Sequence, residues 1–425
     1  MRKVRIIFIF FIISGILFNP ALFAQGQVEN EGRVLTLLDC YNLTLKQSET
    51  LGISVQRIKE AESHFLQAIG TIMPQVSFAS ADNFYNIHTT SANTYTRGFV
   101  FQQVLFSGFK EFAAMRASGY EKKQRTKEVE RAEQLLFGDV SDSFYLLLEQ
   151  IKDLKALEAT RQSLLERIQE LDKRISIGRS RKSELATVMV EFYGVEAEII
   201  TAKNQRDVAK ELLEFLTGVA IKDIIESEDV PGSVKPIDYY QRLAVMRADI
   251  EAAEKAVGLA RENITVARSG FLPSVNVESQ YLTNNSTALP PSKLATTLSV
   301  NIPIFEGTTV LGNVRQAQAQ ARESELQLEL TRRQSQTDVL QAYTNMQYSL
   351  ISKEAHAKAL NSAVRNYYLQ KKDYEYNLVN NLDVLTAIRL LEDSRRDFIH
   401  AANETKRLYW QLCVAAGENI GEVLK

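Results

Sequence analysis

Two periods alternate along this chain and predict two kinds of element. In LATTLSVNIPIF (294–305) Leu298, Val300, Ile302 and Ile304 alternate with Thr297, Ser299, Asn301 and Pro303, the pattern of a strand with one apolar and one polar face. VNVESQY (275–281) repeats it, with Val275, Val277 and Tyr281 on one parity and Asn276, Glu278 and Gln280 on the other. Earlier in the chain Phe99, Phe101, Gln103 and Leu105 take the corresponding places, and three of these four are large and apolar. Elsewhere the period is helical and the apolar positions are sparse. Val339, Tyr343, Met346 and Leu350 step at i, i+4, i+7 and i+11, a narrow stripe flanked by polar residues. Such a helix does not wrap a globular core; it belongs to a coiled coil or to a tube of helices wet on both sides.

Proline and glycine mark where the elements lie. The eight prolines, at 20, 74, 231, 236, 273, 290, 291 and 303, leave 75–230 and 304–425 uninterrupted, and neither Gly nor Pro occurs between Gly312 and Gly417. Stretches so rich in Ala, Glu, Gln, Lys, Arg and Leu favour helix. The stretch from Gly108 to Ile177 would reach roughly 100 Å at about 1.5 Å per residue.

The pattern occurs twice, at a constant offset of 199 residues: Phe106 with Phe305, Gly108 with Gly307, Pro74 with Pro273, Arg116 with Arg315, Glu184-Leu185 with Asp383-Val384, Gly218 with Gly417. Matched punctuation in one register identifies an internal duplication. The halves run over 35–218 and 235–417, joined by a linker at 219–234, where DVPGSVKP (229–236) marks the boundary, and followed by a short tail at 418–425. Each half reads as helix, two strands with a loop, long helix, returning helix.

The N-terminus adds an address. Arg2, Lys3 and Arg5, the apolar run Ile6 to Phe18, then Pro20 and ALFA read as a secretory signal, 1–24, cleaved after Ala24. No later apolar stretch is long enough for a spanning helix, so membrane residence would be as strands. About ten residues with one oily face suit a transmembrane barrel, and four strands cannot close one, so several copies would have to combine. Three copies give twelve strands; two would reach eight. The rival is an exported coiled-coil scaffold with a small soluble sheet and no channel.

Composition narrows function by exclusion. A net charge of −2 gives no reason to expect nucleic acid. His64, His88, His356 and His400 lack metal-ligand spacing, and Cys40 and Cys413 are the only thiols. With no HExxH, GxSxG or phosphate loop, neither an enzyme nor a cofactor is expected.

Two segments, SIGRSRKSEL (176–185) and YNLVNNLDVL (376–385), lie where each long helix must turn back. Gly178 and its equivalent Asn377 suit the left-handed residue that ends a helix, and Ser180 to Ser183 and Asn380-Asn381 are N-cap types. The first tip is basic, with Lys173, Arg174, Arg179, Arg181 and Lys182.

The doubled order of these motifs, with Val-Leu-Phe-Ser-Gly and Ile-Pro-Ile-Phe-Glu-Gly closing the strand pairs, resembles the TolC family of outer-membrane efflux proteins over about 35–417. The resemblance implies a mostly α protein with a membrane β-barrel: a homotrimer with a twelve-stranded barrel in the outer membrane and a long α-helical barrel across the periplasm. It implies an exit duct for an inner-membrane pump coupled through a periplasmic adaptor, in drug or metal efflux or type I secretion. It also places the entrance constriction at Asp383, Glu184, Ser183 and Tyr374, with Tyr374 closing onto Ser183 and Glu184. Adaptor contact is expected at Gly178, Arg179, Arg181, Lys182, Asn377 and Asn380. Lipid is expected against Phe99, Phe101, Val275, Val277, Leu298, Val300 and Ile302. The chain departs from the family pattern in having Val379 where an Arg is expected and Thr386 where a second acid is. A single acidic ring, without an arginine-held gate, is what remains.

Overall fold

The computed structural model describes residues 33–87, 90–226, 233–285 and 293–419. The expected signal peptide, residues 227–232 of the linker, His88 and residues 420–425 of the tail lie outside them. In chain order the elements are β1 (Arg33–Leu35), α1 (Leu37–Gln47), α2 (Glu49–Gly70), β2 (Gln75–Ile87), β3 (Thr90–Ser107), α3 (Lys110–Ser176) and α4 (Lys182–Thr217). The second half follows with β4 (Ile221–Ile224), α5 (Ile237–Ala244), α6 (Ala248–Arg268), a short 3₁₀ turn (Ser269–Phe271), β5 (Ser274–Asn285), β6 (Leu294–Asn301), α7 (Thr309–Glu375) and α8 (Asn381–Ala416).

Each strand pair begins directly after its proline, at Gln75 and Ser274. The four strands form one antiparallel sheet in the order β2-β3-β5-β6, so the two halves join edge to edge through β3 and β5. Directly paired residues share a face. The register therefore puts Val76, Phe78, Phe99, Phe101, Val275, Val277, Tyr281, Leu294, Leu298 and Val300 on one side. Most of these side chains are exposed in the single chain. Gln75, Gln102, Asn276, Glu278, Thr297 and Ser299 occupy the other side, where Gln102 donates to the Glu278 carboxylate at 3.0 Å. Two details depart from simple alternation. A bulge after Val104 makes Leu105 the extra residue and sets Phe106 opposite Val275. Ile302 lies beyond β6, because Pro303 has no N–H to continue the ladder.

α3 and α7 are 67 residues each, close to 100 Å at the usual helical rise. Near the sheet α3 lies beside α2 and α6, with Lys122–Glu62 (2.9 Å) and Arg116–Glu262 (2.8 Å) bridging them. Farther on it lies beside α4 and α8, where Arg161–Glu196 (3.2 Å) and Arg396–Asp153 (2.8 Å) take over. α7 packs on α6 and then on α8. The helices thus form a layer continuing from the sheet, with α2 and α4 along one edge and α7 along the other. Both edges expose apolar side chains at helical spacing: Val190, Tyr193, Ile200, Val208 and Phe215 on α4, and Leu326, Leu330, Leu340, Tyr348 and Ile351 on α7.

The expectation of thin seams without a core holds along most of this length and fails in the middle. There the short parallel pair β1–β4, α1 and α5 gather against the long helices. Phe137, Phe144, Tyr145, Leu213, Trp410, Cys40 and Cys413 are buried together, and the Trp410 indole N–H donates to the Tyr145 hydroxyl at 3.1 Å. Val339 and Met346 of the predicted stripe are fully buried against α5 and α8. Gly218 and Gly417, both left-handed, close α4 and α8 beside this core.

Candidate functional site: the helical hairpin tips

Both long helices reverse as their glycine and asparagine dictate. Gly178 adopts φ 71° and Asn377 φ 57°. In each turn the next N–H reaches back five residues, Arg179 to the Arg174 carbonyl at 2.8 Å and Leu378 to the Asp373 carbonyl at 2.9 Å, satisfying carbonyls that the ending helix leaves open.

The two restarts differ. α8 begins with a full capping box: Asn380 Oδ1 accepts from the N–H groups of Leu382 and Asp383, and Asp383 Oδ2 accepts from the Asn380 N–H at 3.0 Å. Asp383 is thus a half-exposed carboxylate fixed at a helix start, where the macrodipole favours its charge. α4 has no side-chain cap. Its N-cap is Arg181, not the expected serines, and Ser180 Oγ instead donates to Glu184 Oε2 at 2.6 Å. Arg179, Arg181, Lys182 and Ser183 are exposed, as are Ile177, Tyr376, Leu378 and Leu382.

Tyr374 is buried just behind the turns. No hydrogen bond among the described residues joins its hydroxyl to Ser183 or Glu184. The side chain is 6% exposed and packs with Leu171, Val188 and Val384. The Arg167 guanidinium lies 3.6 Å from its ring centroid and that of Arg174 4.2 Å. Glu170 bridges both arginines, at 2.8 Å to Arg167 and 3.2 Å to Arg174. Arg167 also donates to Asn381 Oδ1 (2.9 Å), Arg174 donates to Asn377 Oδ1 (3.1 Å), and Asn381 Nδ2 donates to the Glu184 carbonyl (3.4 Å). The cluster therefore ties α3, α4, α7 and α8 together just behind the turns. The remaining Arg167 nitrogen, Nη2, has no hydrogen-bond partner among the described residues, so the Tyr374 ring face adds to Glu170 in offsetting the buried charge. Sequence reasoning missed Arg167, and its spacing gives no signal: its repeat equivalent is Asn366.

A second charged band lies several turns behind the tips. Arg396 joins Asp153 and Glu198, each at 2.8 Å, and the neighbouring Glu392 is buried. Burial first, then the nearby Glu198, pushes the Glu392 carboxyl up to about 7.

An open-edged sheet with one exposed apolar face, continued by helices about 100 Å long, has the architecture of an outer-membrane channel protein. The outer membrane efflux protein family matches residues 40–219 and 239–418, and the chain belongs to that family. It is 21% identical over 405 residues to outer membrane protein TolC of Salmonella enteritidis, covering 88% of this chain and 79% of that protein. It is 22% identical over 380 residues to the cation efflux system protein CusC of Escherichia coli O157:H7, covering 83% and 79%. The solved structure of the outer membrane protein VceC of Vibrio cholerae superposes with a TM-score of 0.80 at 19% identity, covering 90% of this chain and 96% of that one. The protein is an outer-membrane channel protein whose helical part extends into the periplasm.

Proposed function

We propose that three copies of this chain close a twelve-stranded barrel in the outer membrane, continuous with a helical tunnel across the periplasm. The assembly is a passive exit duct for an inner-membrane pump joined through a periplasmic adaptor, as in tripartite efflux or type I secretion. The observation that carries this is the four-stranded sheet whose edge strands, β2 and β6, each pair on one side only while one face is apolar and exposed. An open edge is not tolerated in lipid. The exposed apolar rows on α4 and α7 supply a matching head-to-tail contact for the helices.

In this assembly Phe99, Phe101, Val275, Val277, Leu298 and Val300 face lipid, with Ile302 just below the last strand. Three Asp383 carboxylates, each held by its capping box, ring the entrance and favour cations there, with Glu184 beside them. Gly178 and Asn377 shape the turns, and Arg179, Arg181, Lys182 and Asn380 present the surface that meets the adaptor. Tyr374, clamped behind the turns, holds the hairpins together, so its part in the entrance is positional.

The mass of the detergent-extracted protein tests the assembly. A trimer that survives extraction is the expected result. A dimer would give eight strands and a different entrance, and a monomer leaving membranes with urea would overturn the channel and favour an exported helical scaffold.

A further inference from the structure

The duplication relates two helix seams to one another. On the tip side of the core the helices run in the order α4, α3, α8, α7 across the layer. The offset of 199 residues turns α3 into α7 and α4 into α8. In a closed ring, α7 of one copy therefore stands to α4 of the next as α3 stands to α8 within a chain. The seam already present in the chain is a template for the seam that closes the ring.

Within the chain, charged and polar side chains hold this seam. His400 meets Glu149 at 2.9 Å and Arg396 meets Asp153 at 2.8 Å. With Asp393 these four line a cavity of about 320 Å³ between α3 and α8.

Their repeat equivalents carry none of that charge. Glu149 and Asp153 become Tyr348 and Ser352 on α7, while Asp393, Arg396 and His400 become Gly194, Ala197 and Thr201 on α4. All five are exposed in the single chain, Tyr348 to 69%. Gly194 stands inside a helix of 36 residues, where glycine is less favourable than alanine. A Cβ added to it would meet nothing within 4 Å, so packing inside the chain gives no reason for its bare backbone. Gly194, Ala197 and Thr201 follow one another at spacings of three and four, which sets them on one helix face and leaves a hollow there.

We propose that Tyr348 of one copy inserts into the hollow formed by Gly194, Ala197 and Thr201 on α4 of the next. The seam between chains is then dry and apolar where the seam inside each chain is polar. Ile200 on α4 and Ile351 on α7, 70% and 65% exposed in the single chain, flank the ring. Burying the ring removes apolar surface from water, a gain that salt does not screen, whereas salt weakens the half-exposed Arg396–Asp153 pair. The contact rests on the trimeric reading above and fixes the register in which the copies meet.

Tyr348→Cys with Thr201→Cys, treated in membranes with a short bis-methanethiosulfonate, should give a covalent trimer on denaturing gels, because their equivalents Glu149 and His400 touch. Cys40 and Cys413 are buried, and the two single variants control for them. Tyr348→Cys with Phe215→Cys, an exposed residue several turns along α4, should run as single chains. Gly194→Leu fills the hollow without a clash inside the chain, and should lower the recovery of extracted trimer by about tenfold. Adding Tyr348→Ala should restore it. Linkage through Phe215, or through neither cysteine, in a protein that is trimeric before treatment overturns the register and leaves the trimer standing. Full recovery of trimer from Gly194→Leu does the same. A wild-type protein extracted as a monomer overturns both.

Discussion

Replacing Tyr374 by leucine separates two accounts of what holds the hairpin tips. The side chain is almost fully buried between Arg167 and Arg174, the former only 5% exposed. A cation–π contact contributes about 2 kcal/mol when desolvated and about 0.5–1 when exposed, so the pair of contacts comes to roughly 3 kcal/mol. Removing the ring also leaves two guanidiniums facing each other across the space it filled, with Glu170 shared between them. A loss of about 3 kcal/mol corresponds to a shift of more than a hundredfold in a two-state opening of the tip. Hydrogen exchange at the Arg179 and Leu378 amides, which close the two turns, should accelerate by about that factor, since local opening governs exchange there. Tyr374→Phe keeps the ring and loses only the hydroxyl, and should exchange as slowly as the parent. Acceleration in Tyr374→Phe equal to that in Tyr374→Leu would refute the stacking account and return the hold to the hydroxyl.

Asp383→Asn removes the charge yet keeps an oxygen able to accept from the Asn380 N–H, so folding should be spared while cation preference in planar-bilayer recordings falls; an unchanged reversal potential would take Asp383 out of the constriction. Leu298→Arg, on the exposed apolar face, should cost up to about 2–4 kcal/mol per chain and deplete the membrane-assembled form on semi-native gels. Normal assembly would mean that this face does not meet lipid. Glu392 titrates at about 7 in the folded protein against 4.5 when unfolded, so the native state binds its proton more tightly. Its contribution to stability is greatest below pH 4.5 and is lost as pH rises through 7. Glu392→Gln should therefore stabilise the protein relative to wild type at pH 8 by about 1–3 kcal/mol and far less at pH 5, measured as the difference in melting.

How far the sequence could be read varied with the range of the physics involved. Gly178, Asn377 and the cap at Asn380 were legible because a left-handed residue and a helix cap are decided within a few positions. Face parity along the strands was legible for the same reason, up to the bulge at Leu105, which leaves no mark in an apolar run, and up to Pro303, which ended β6 before Ile302. The four-residue β4 and three-residue β1 are too short to show a period, and their pairing brings together segments on either side of the first repeat. Arg167 and Tyr374 stand 207 residues apart, in different halves, at positions the repeat does not equate.

By itself, then, the sequence determined the duplicated order of elements, the places where helices turn, and which side of each strand is oily, since periodicity, proline and glycine act on their own neighbourhood. Only the tertiary structure decided that Tyr374 is clamped between two arginines, that a compact core surrounds Trp410 midway along the helices, and that charged side chains line the seam of α3 with α8. Those depend on which surfaces meet across hundreds of residues, and that is set by the packing of whole helices and sheets against one another.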